Sequence, residues 1–212
     1  MPTPEFVLKL REKIGHDPLW LIGVTGLVRD GDGRILLGRR SDTGEWALVY
    51  GINEPGEQPA DTVVREVKEE TGVDAVVTDL VSVVSSDREI VYANGDRTMY
   101  MDHSFLCELR PGGNADPFVG DEESLNVGWF DLDALPEPLA ASTVERLALF
   151  RRYLENKAHG DAHALFVTDG RQRSRPRPGN RKTPRRGVRS DPGCTPPRHD
   201  GGSFSGRATK LV

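Results

Sequence analysis

Three glutamates define the chemistry this sequence invites. Glu66, Glu69 and Glu70 stand at i, i+3 and i+4 within PADTVVREVKEET, residues 59–71. Pro59 suits the first helical position, Val63, Val64 and Val67 form an apolar stripe, and Gly72 tolerates the left-handed conformation that ends a helix. The segment therefore reads as a helix over 59–71 that projects all three carboxylates from one side. Like charges at that spacing repel by roughly 0.2–0.5 kcal/mol per pair. Arg65, four residues before Glu69, relieves part of this, whereas Lys68 is poorly placed against Glu66 and Glu70. Such charge patterning also occurs on plain solvated helix faces. A tight group of hard oxygen ligands offers more, a seat for magnesium, manganese or calcium.

The spacing around the helix narrows this choice. Gly51, Glu57, Arg65, Glu66, Val67, Glu69, Glu70, Gly72 and Val73 fall, over 23 residues, on the nine defined positions of a known pattern. In this the segment resembles the Nudix box of the MutT-like Nudix hydrolase superfamily. Flanking residues fit the resemblance too: Ile35, Leu36 and Leu37 ending in Arg39 and Arg40, then Trp46, and later Trp129-Phe130 leading to Leu135-Pro136. The resemblance implies an α/β/α sandwich with a mixed central sheet, in the α/β (α+β) class, over about residues 18–157. It implies Mg2+, with Mn2+ able to substitute, held by Glu66, Glu69 and Glu70 with the backbone of Gly51; Glu57 is either a further ligand or the partner of Arg65. Activity follows as hydrolysis of a diphosphate linkage in a nucleotide-like substrate. Held cations would bind the polyanion's oxygens and lower the pKa of the attacking water, and a carboxylate would take its proton.

The acidic turn Asp121, Glu122 and Glu123, shortly before Trp129, is where relatives place an extra carboxylate, and Glu123 is the candidate there. One departure stands out: the family usually has Pro-Gly before the first box glycine, and this chain has Val49-Tyr50. Altered loop geometry with retained activity is the expectation, since every box carboxylate is present. Trp46, Tyr50, Tyr92, Tyr100 and Trp129 could stack on a base or simply be core. His103 reads as a strand residue, and Arg39 and Arg40 as phosphate contacts or paired surface arginines. Two other functions compete, a non-hydrolytic Nudix ligand-sensing module and an isoprenoid diphosphate isomerase. Three like charges on one helix face argue against the first, and the lack of a cysteine near the box argues against the second. Where ADP-ribose hydrolases commonly have Pro this chain has Glu89, and Tyr92 only approximates the tyrosine of dinucleoside polyphosphate hydrolases. A nucleoside triphosphate is the preferred substrate.

The elements that must position these groups follow from hydrophobic periodicity. A short helix within residues 1–17 is expected, capped by Thr3 with Pro4 at its first position, docking through Phe6, Val7, Leu10 and Ile14 and ending at Gly15. Trp20–Arg29 and Arg34–Arg39 read as a hairpin about Asp30-Gly31-Asp32-Gly33. Strands are expected at 75–84, 98–109 and 127–130, with a turn at Tyr92, Asn94 and Gly95. Ser142 and Glu145 suggest a capping box for a last helix buried through Val144, Leu147, Ala148 and Leu154.

Charge divides the chain sharply. Residues 171–212 hold 12 Lys+Arg and 2 Asp+Glu, whereas residues 1–170 hold 16 and 31. A body of charge −15 that handles phosphate needs a bound cation rather than a basic patch. From 166 to 212 the chain is rich in Arg, Pro and Gly, so a disordered basic tail is expected, with nonspecific but not specific contact to nucleic acid. No apolar run is long enough to cross a bilayer, and the charged N-terminus is unlike a signal peptide. Cys107 and Cys194 have no disulfide or metal-ligand spacing and read as free thiols in the cytoplasm.

Overall fold

The computed structural model describes residues 3–168 and 171–173. Helix α1 spans Glu5–Ile14, α2 Pro59–Thr71 and α3 Ala141–Ala158. The strands are β1 (Leu19–Arg29), β2 (Ile35–Arg40), β3 (Trp46–Ala47), β4 (Val49–Ile52), β5 (Ala75–Ser85), β6 (Ile90–Val91), β7 (Arg97–Leu109), β8 (Ser124–Phe130), β9 (Phe166–Thr168) and β10 (Arg171–Arg173). No helix among the described residues is long and apolar enough to cross a membrane.

The central sheet is mixed. β1 runs parallel to β7 along its whole length, from Leu19 opposite Thr98 to Arg29 opposite Glu108. Its other edge is shared: β4 pairs antiparallel with Gly23–Gly26, while β2 meets β1 only where Arg29 opposes Ile35. The sheet therefore forks, with β2 leaving to pair with β3 and β8. On one face Val63 and Val67 of α2 pack with Val24, Val28, Leu36, Val49 and Phe105. On the other Leu147, Phe150 and Tyr153 of α3 pack with Leu27, Leu37, Leu48 and Leu106. Because side chains alternate across a strand, Leu27 and Val28 serve opposite layers, and the α/β/α sandwich follows.

Several elements differ from the local signals. Pro4, not Thr3, is the cap residue of α1: Val7 and Leu8 both donate their N–H to its carbonyl, and no side chain caps the helix. Of the expected docking face Val7 is buried and Leu10 is exposed. Helix α3 begins at Ala141 with Ala140 at its cap, so Ser142 lies inside the first turn and the expected capping box does not form. Tertiary pairing sets this start. Ala140 N–H donates to Trp46 O at 2.9 Å, and Thr143 Oγ1 accepts from Leu48 N–H at 3.1 Å. The buried face is accordingly Thr143, Leu147, Phe150 and Tyr153, with Val144 and Ala148 turned to solvent. Val49, Tyr50 and Gly51, expected in a loop, lie in β4. Val49 and Tyr50, in place of Pro-Gly, are β-formers, and Val49 enters the core.

The expected tail boundary at 166 cuts through ordered structure. β9 and β10 pair antiparallel, and Leu165 N–H donates to Val81 O at 2.7 Å on the edge strand β5. From 174 onward the tail lies outside the described residues, Cys194 with it. A chain ending at Gly160 loses the Leu165 contacts and the Ala162 carbonyl that accepts from Tyr153 Oη at 3.3 Å. Relative to a chain ending at Arg173 it should be less stable by about 1–2 kcal/mol, a drop of a few degrees in Tm. Equal melting of the two truncations by circular dichroism would show that this segment contributes nothing.

Candidate active site

The helix α2 is built to hold Glu66 inward. Thr62 Oγ1 donates to Gln58 O at 3.2 Å in the first turn. The side chain of Asn53 donates to Thr62 Oγ1 at 2.6 Å and to Glu57 O at 3.2 Å, fixing the connection from β4. Gly72 caps the other end in the left-handed conformation, φ 71°. Opposite the helix, Gly51 pairs with Val24 on β1. A Cβ at Gly51 would lie 2.2 Å from Glu66 Oε1 and 2.3 Å from its carboxyl carbon. Glycine is required here by this close approach and not by a turn.

The three helix carboxylates are not alike. Glu66 is fully buried, Glu70 half-buried, and the Glu69 side chain 52% exposed. Arg65 Nη1 stands 3.1 Å from Glu66 Oε1, yet neither Glu66 oxygen has a partner with hydrogen-bonding geometry. Burial raises its pKa to about 7, with Arg65 opposing and Glu69 adding. Burial first, then the charges of Glu66 and Asp121, push Glu70 up to about 8. Arg65 is engaged elsewhere, donating to both Glu57 oxygens at 2.9 and 3.1 Å and to Glu69 Oε2 at 2.9 Å. Of the two roles open to Glu57, the structure displays partnership with Arg65, which holds its carboxyl below the usual range.

A loop from the opposite side closes over the end of α2. Asn114 donates its side-chain amide to Gly72 O at 2.9 Å, Phe118 N–H to Thr71 O at 2.9 Å, and Gly120 N–H to Glu70 O at 3.0 Å. These satisfy carbonyls that a helix end leaves unpaired. A Cβ at Gly120 would lie 1.9 Å from Glu69 O, so only glycine fits. This loop delivers Asp121 to Glu70. Glu123, the residue favoured from sequence, has an exposed side chain, and its backbone carbonyl accepts from Ser41 N–H at 2.7 Å.

The remaining candidates separate clearly. Trp46 stacks edge-on against Phe130, centroids 4.8 Å apart, as core. Trp129 donates Nε1–H to Ala115 O at 3.0 Å. Tyr92 and Tyr100 share a hydrogen bond between their hydroxyls at 2.8 Å. His103 Nδ1 is buried without a partner. Arg39 donates to Gly44 O at 3.0 Å. Tyr50 accepts a hydrogen bond from Arg40 and lies beneath both Arg40 and Arg146. Arg146 and its partner Asp102 had no signal in the sequence, because their meeting is purely tertiary. Cys107, the one cysteine among the described residues, is fully buried with its pKa pushed up to about 12, unlike a thiol poised for isomerase chemistry.

Residues able to hold a divalent cation were tested on this geometry. Among the described residues no three acidic, His or Cys groups already stand at metal-holding distances. The donor set nonetheless fits: a buried carboxylate with no hydrogen bond at either oxygen faces a bare glycine, and the charge of Asp121 adds to the cost of ionising Glu70 beside it.

Comparison with known proteins gives the family. The sequence model of the NUDIX domain matches residues 20–151. The chain belongs to the NUDIX family. It is 34% identical over 130 residues to a MutT-like protein of Streptomyces ambofaciens, covering 61% of this chain and 76% of that protein. It is 36% identical over 137 residues to the nucleoside diphosphate-linked moiety X motif 6 of Mus musculus, covering 61% of this chain but only 42% of the mouse protein. Among solved structures, a MutT NUDIX hydrolase from Burkholderia pseudomallei superposes with a TM-score of 0.50 at 29% identity, over 62% of this chain and 98% of that one.

The raised pKa values of this NUDIX helix predict a pH dependence. A carboxyl whose folded pKa lies above its ordinary 4.5 adds stability that is full below pH 4.5 and is lost as pH rises through the folded value. In chelator, the contribution from Glu66 and Glu70 should therefore fall between about pH 4.5 and 8. Each pKa unit is worth about 1.4 kcal/mol. Glu66→Gln, neutral at every pH, should flatten this fall and melt higher than wild type at pH 8. Parallel pH–Tm curves for the two proteins would contradict the assignment of the burial penalty to Glu66.

Proposed function

We propose that this chain is a Mg2+-dependent hydrolase, with Mn2+ able to substitute, that cleaves a diphosphate linkage of a nucleotide derivative, a nucleoside triphosphate first among them. The observation that carries the reading is the buried carboxylate of Glu66, which has an ion pair with Arg65 at 3.1 Å but no hydrogen bond at either oxygen and is pressed on Gly51 beside Glu70. Arg65 is shared with Glu57 and Glu69, so the buried charge of Glu66, with Glu70 beside it, is left for a further cation to complete. Family membership and the mouse relative's nucleoside diphosphate-linked name point the same way.

Glu66 and Glu70 are assigned as cation ligands with the Gly51 carbonyl, and Glu69 completes the set from the same side of α2. When bound, the cation would neutralise the diphosphate oxygens and lower the pKa of the attacking water. Arg65 is a positioning residue: its fork joins Glu57 to Glu69 and keeps Glu69 from swinging to solvent. Asp121, rather than Glu123, is the acidic group contributed by the loop over α2, and its charge helps keep Glu70 ready to hold or release a proton.

Glu70→Gln is expected to lower kcat at least a hundredfold at saturating Mg2+, about 3 kcal/mol of barrier, with secondary structure and Tm retained. Glu57→Gln, acting only through Arg65, should lose less. The assay is release of phosphate or pyrophosphate from a panel of nucleoside triphosphates and diphosphate-linked nucleotides. Near-wild-type turnover by Glu70→Gln, or turnover that survives complete chelation of divalent ions, would defeat the assignment.

A further inference from the structure

Where α2 begins, the sheet face beneath it is left bare. Val24 and Val28 of β1 and Phe105 and Cys107 of β7 pack against α2. Side chains alternate along a strand, so Ile22 and Trp20 of β1, and Met101 and Met99 of β7, share that face. The register sets them side by side, Ile22 opposite Met101 and Trp20 opposite Met99. On the far side of β7, Val83 of β5 stands opposite His103, and Val91 of β6 opposite Arg97, which widens the strip. Val63 and Val67 of α2 lie over Gly26, and past Val24 the helix no longer covers the strands. Trp20 is 55% exposed, Ile22 and Val83 42%, and Val91 65%. The opposite face is closed at the same level. Leu21 and Thr98 are buried there, and Arg11 of α1 donates to Arg97 O at 2.8 Å and to Thr98 Oγ1 at 3.3 Å.

Charge is as uneven as cover. Residues 1–170 hold 16 Lys+Arg and 31 Asp+Glu, a net of −15. Along this face of β1, β5, β6 and β7, however, Arg97 is the one Lys, Arg, Asp or Glu. Glu89, just before β6, meets it at 2.7 Å. The strip is therefore neutral, with one acid and one base at its end.

We infer that this strip is the contact between two copies of the chain related by a two-fold axis. Contiguous apolar patches above roughly 300–600 Å2 are uncommon on monomers, and Trp and Met are enriched where proteins meet. Charge selects the partner. Nucleic acid and anionic membranes are repelled by the acidic body, and a basic partner finds no acid here beyond Glu89, which Arg97 occupies. A second copy carries the same −15, and this neutral face is where two such bodies repel least. Two-fold symmetry uses the same patch on both subunits. Arg97 of one subunit then faces Glu89 of the partner subunit, while Trp20, Ile22 and Met99 fill the space between two sheets packed about 10 Å apart. The strip forms the apolar centre, and the Arg97–Glu89 pair part of the polar rim, of an interface of roughly 800 Å2 per subunit.

Sedimentation velocity of the full chain over about 1–100 μM tests this. Wild type is expected to reach twice the 23.4 kDa chain mass at the upper end. The dimer should persist in about 0.5 M NaCl, because apolar burial is not screened, whereas pairing of the acidic body with the basic residues 174–212 would be. Trp20→Glu should weaken association at least tenfold with Tm unchanged at the dilute end. Arg97→Glu and Glu89→Arg should each weaken it alone. An equimolar mixture of those two variants should recover the dimer, since each supplies across the axis the charge that the other lacks. Should Trp20→Glu not fold, the two charge variants and their mixture decide. A monomer at every concentration, with the strip left to residues 174–212 or to another protein, overturns the inference. So does a dimer that Trp20→Glu leaves intact, one that about 0.5 M NaCl dissolves, or a mixture no more associated than its components.

Discussion

The contact on which the rest of this structure turns is that between the carboxylate of Glu66 and the bare α-carbon of Gly51. It requires a helix whose inward face carries an acid among valines, a strand that presents glycine at the facing position, and a connection short enough to bring the two together. Asn53 and Thr62 stiffen that connection, and the valine stripe at Val63 and Val67 docks the helix firmly enough to bury the acid. Burial without hydrogen bonds drives the carboxyl toward its neutral form. Stability lost at this point is the ordinary sign of a group placed for chemistry.

The forked sheet is the second constraint. β1 cannot pair fully with β2 and β4 at once, and on β4 Tyr50, opposite Thr25, takes the α3 face while Gly51, opposite Val24, takes the α2 face against Glu66. The Tyr50 ring meets the guanidinium groups of Arg40 and Arg146, each paired with a carboxylate of its own, Asp42 and Asp102. The loop over the end of α2 is fastened by hydrogen bonds to helix carbonyls, and Asp121 follows directly on the Gly120 N–H that donates to Glu70 O.

Much of this was legible in the sequence because it is local. Helix 59–71 was marked at both ends by Pro59 and Gly72 and along its length by valines, and the nine positions of the box carried the family. Less local facts were misread. The start of α3 is fixed by pairing of Ala140 with Trp46, which overrides the capping signal of Ser142 and rotates the buried face from Val144 to Phe150 and Tyr153. Spacing put Glu66, Glu69 and Glu70 together but could not tell that one is buried, one half-buried and one tied to Arg65. Asp102 and Arg146 are 44 residues apart and meet only where α3 packs on the sheet, so no window of sequence contains them. Glu123 and Asp121 differ by two positions in a turn, and only the course of the loop decides which faces Glu70.

The central claim is that the Glu66 pocket is completed by a divalent cation. Calorimetric titration of Mg2+ into the protein near pH 7, repeated in two buffers of different ionisation enthalpy, tests it most directly, because the measured heat then reports protons displaced as well as binding. The account predicts one or more sites with net proton release, as a cation displaces protons from Glu66 and Glu70, and predicts that Glu66→Gln both weakens binding at least tenfold and reduces the release. Mg2+ binding of unchanged affinity in Glu66→Gln, or binding with no proton release in wild type, would contradict it.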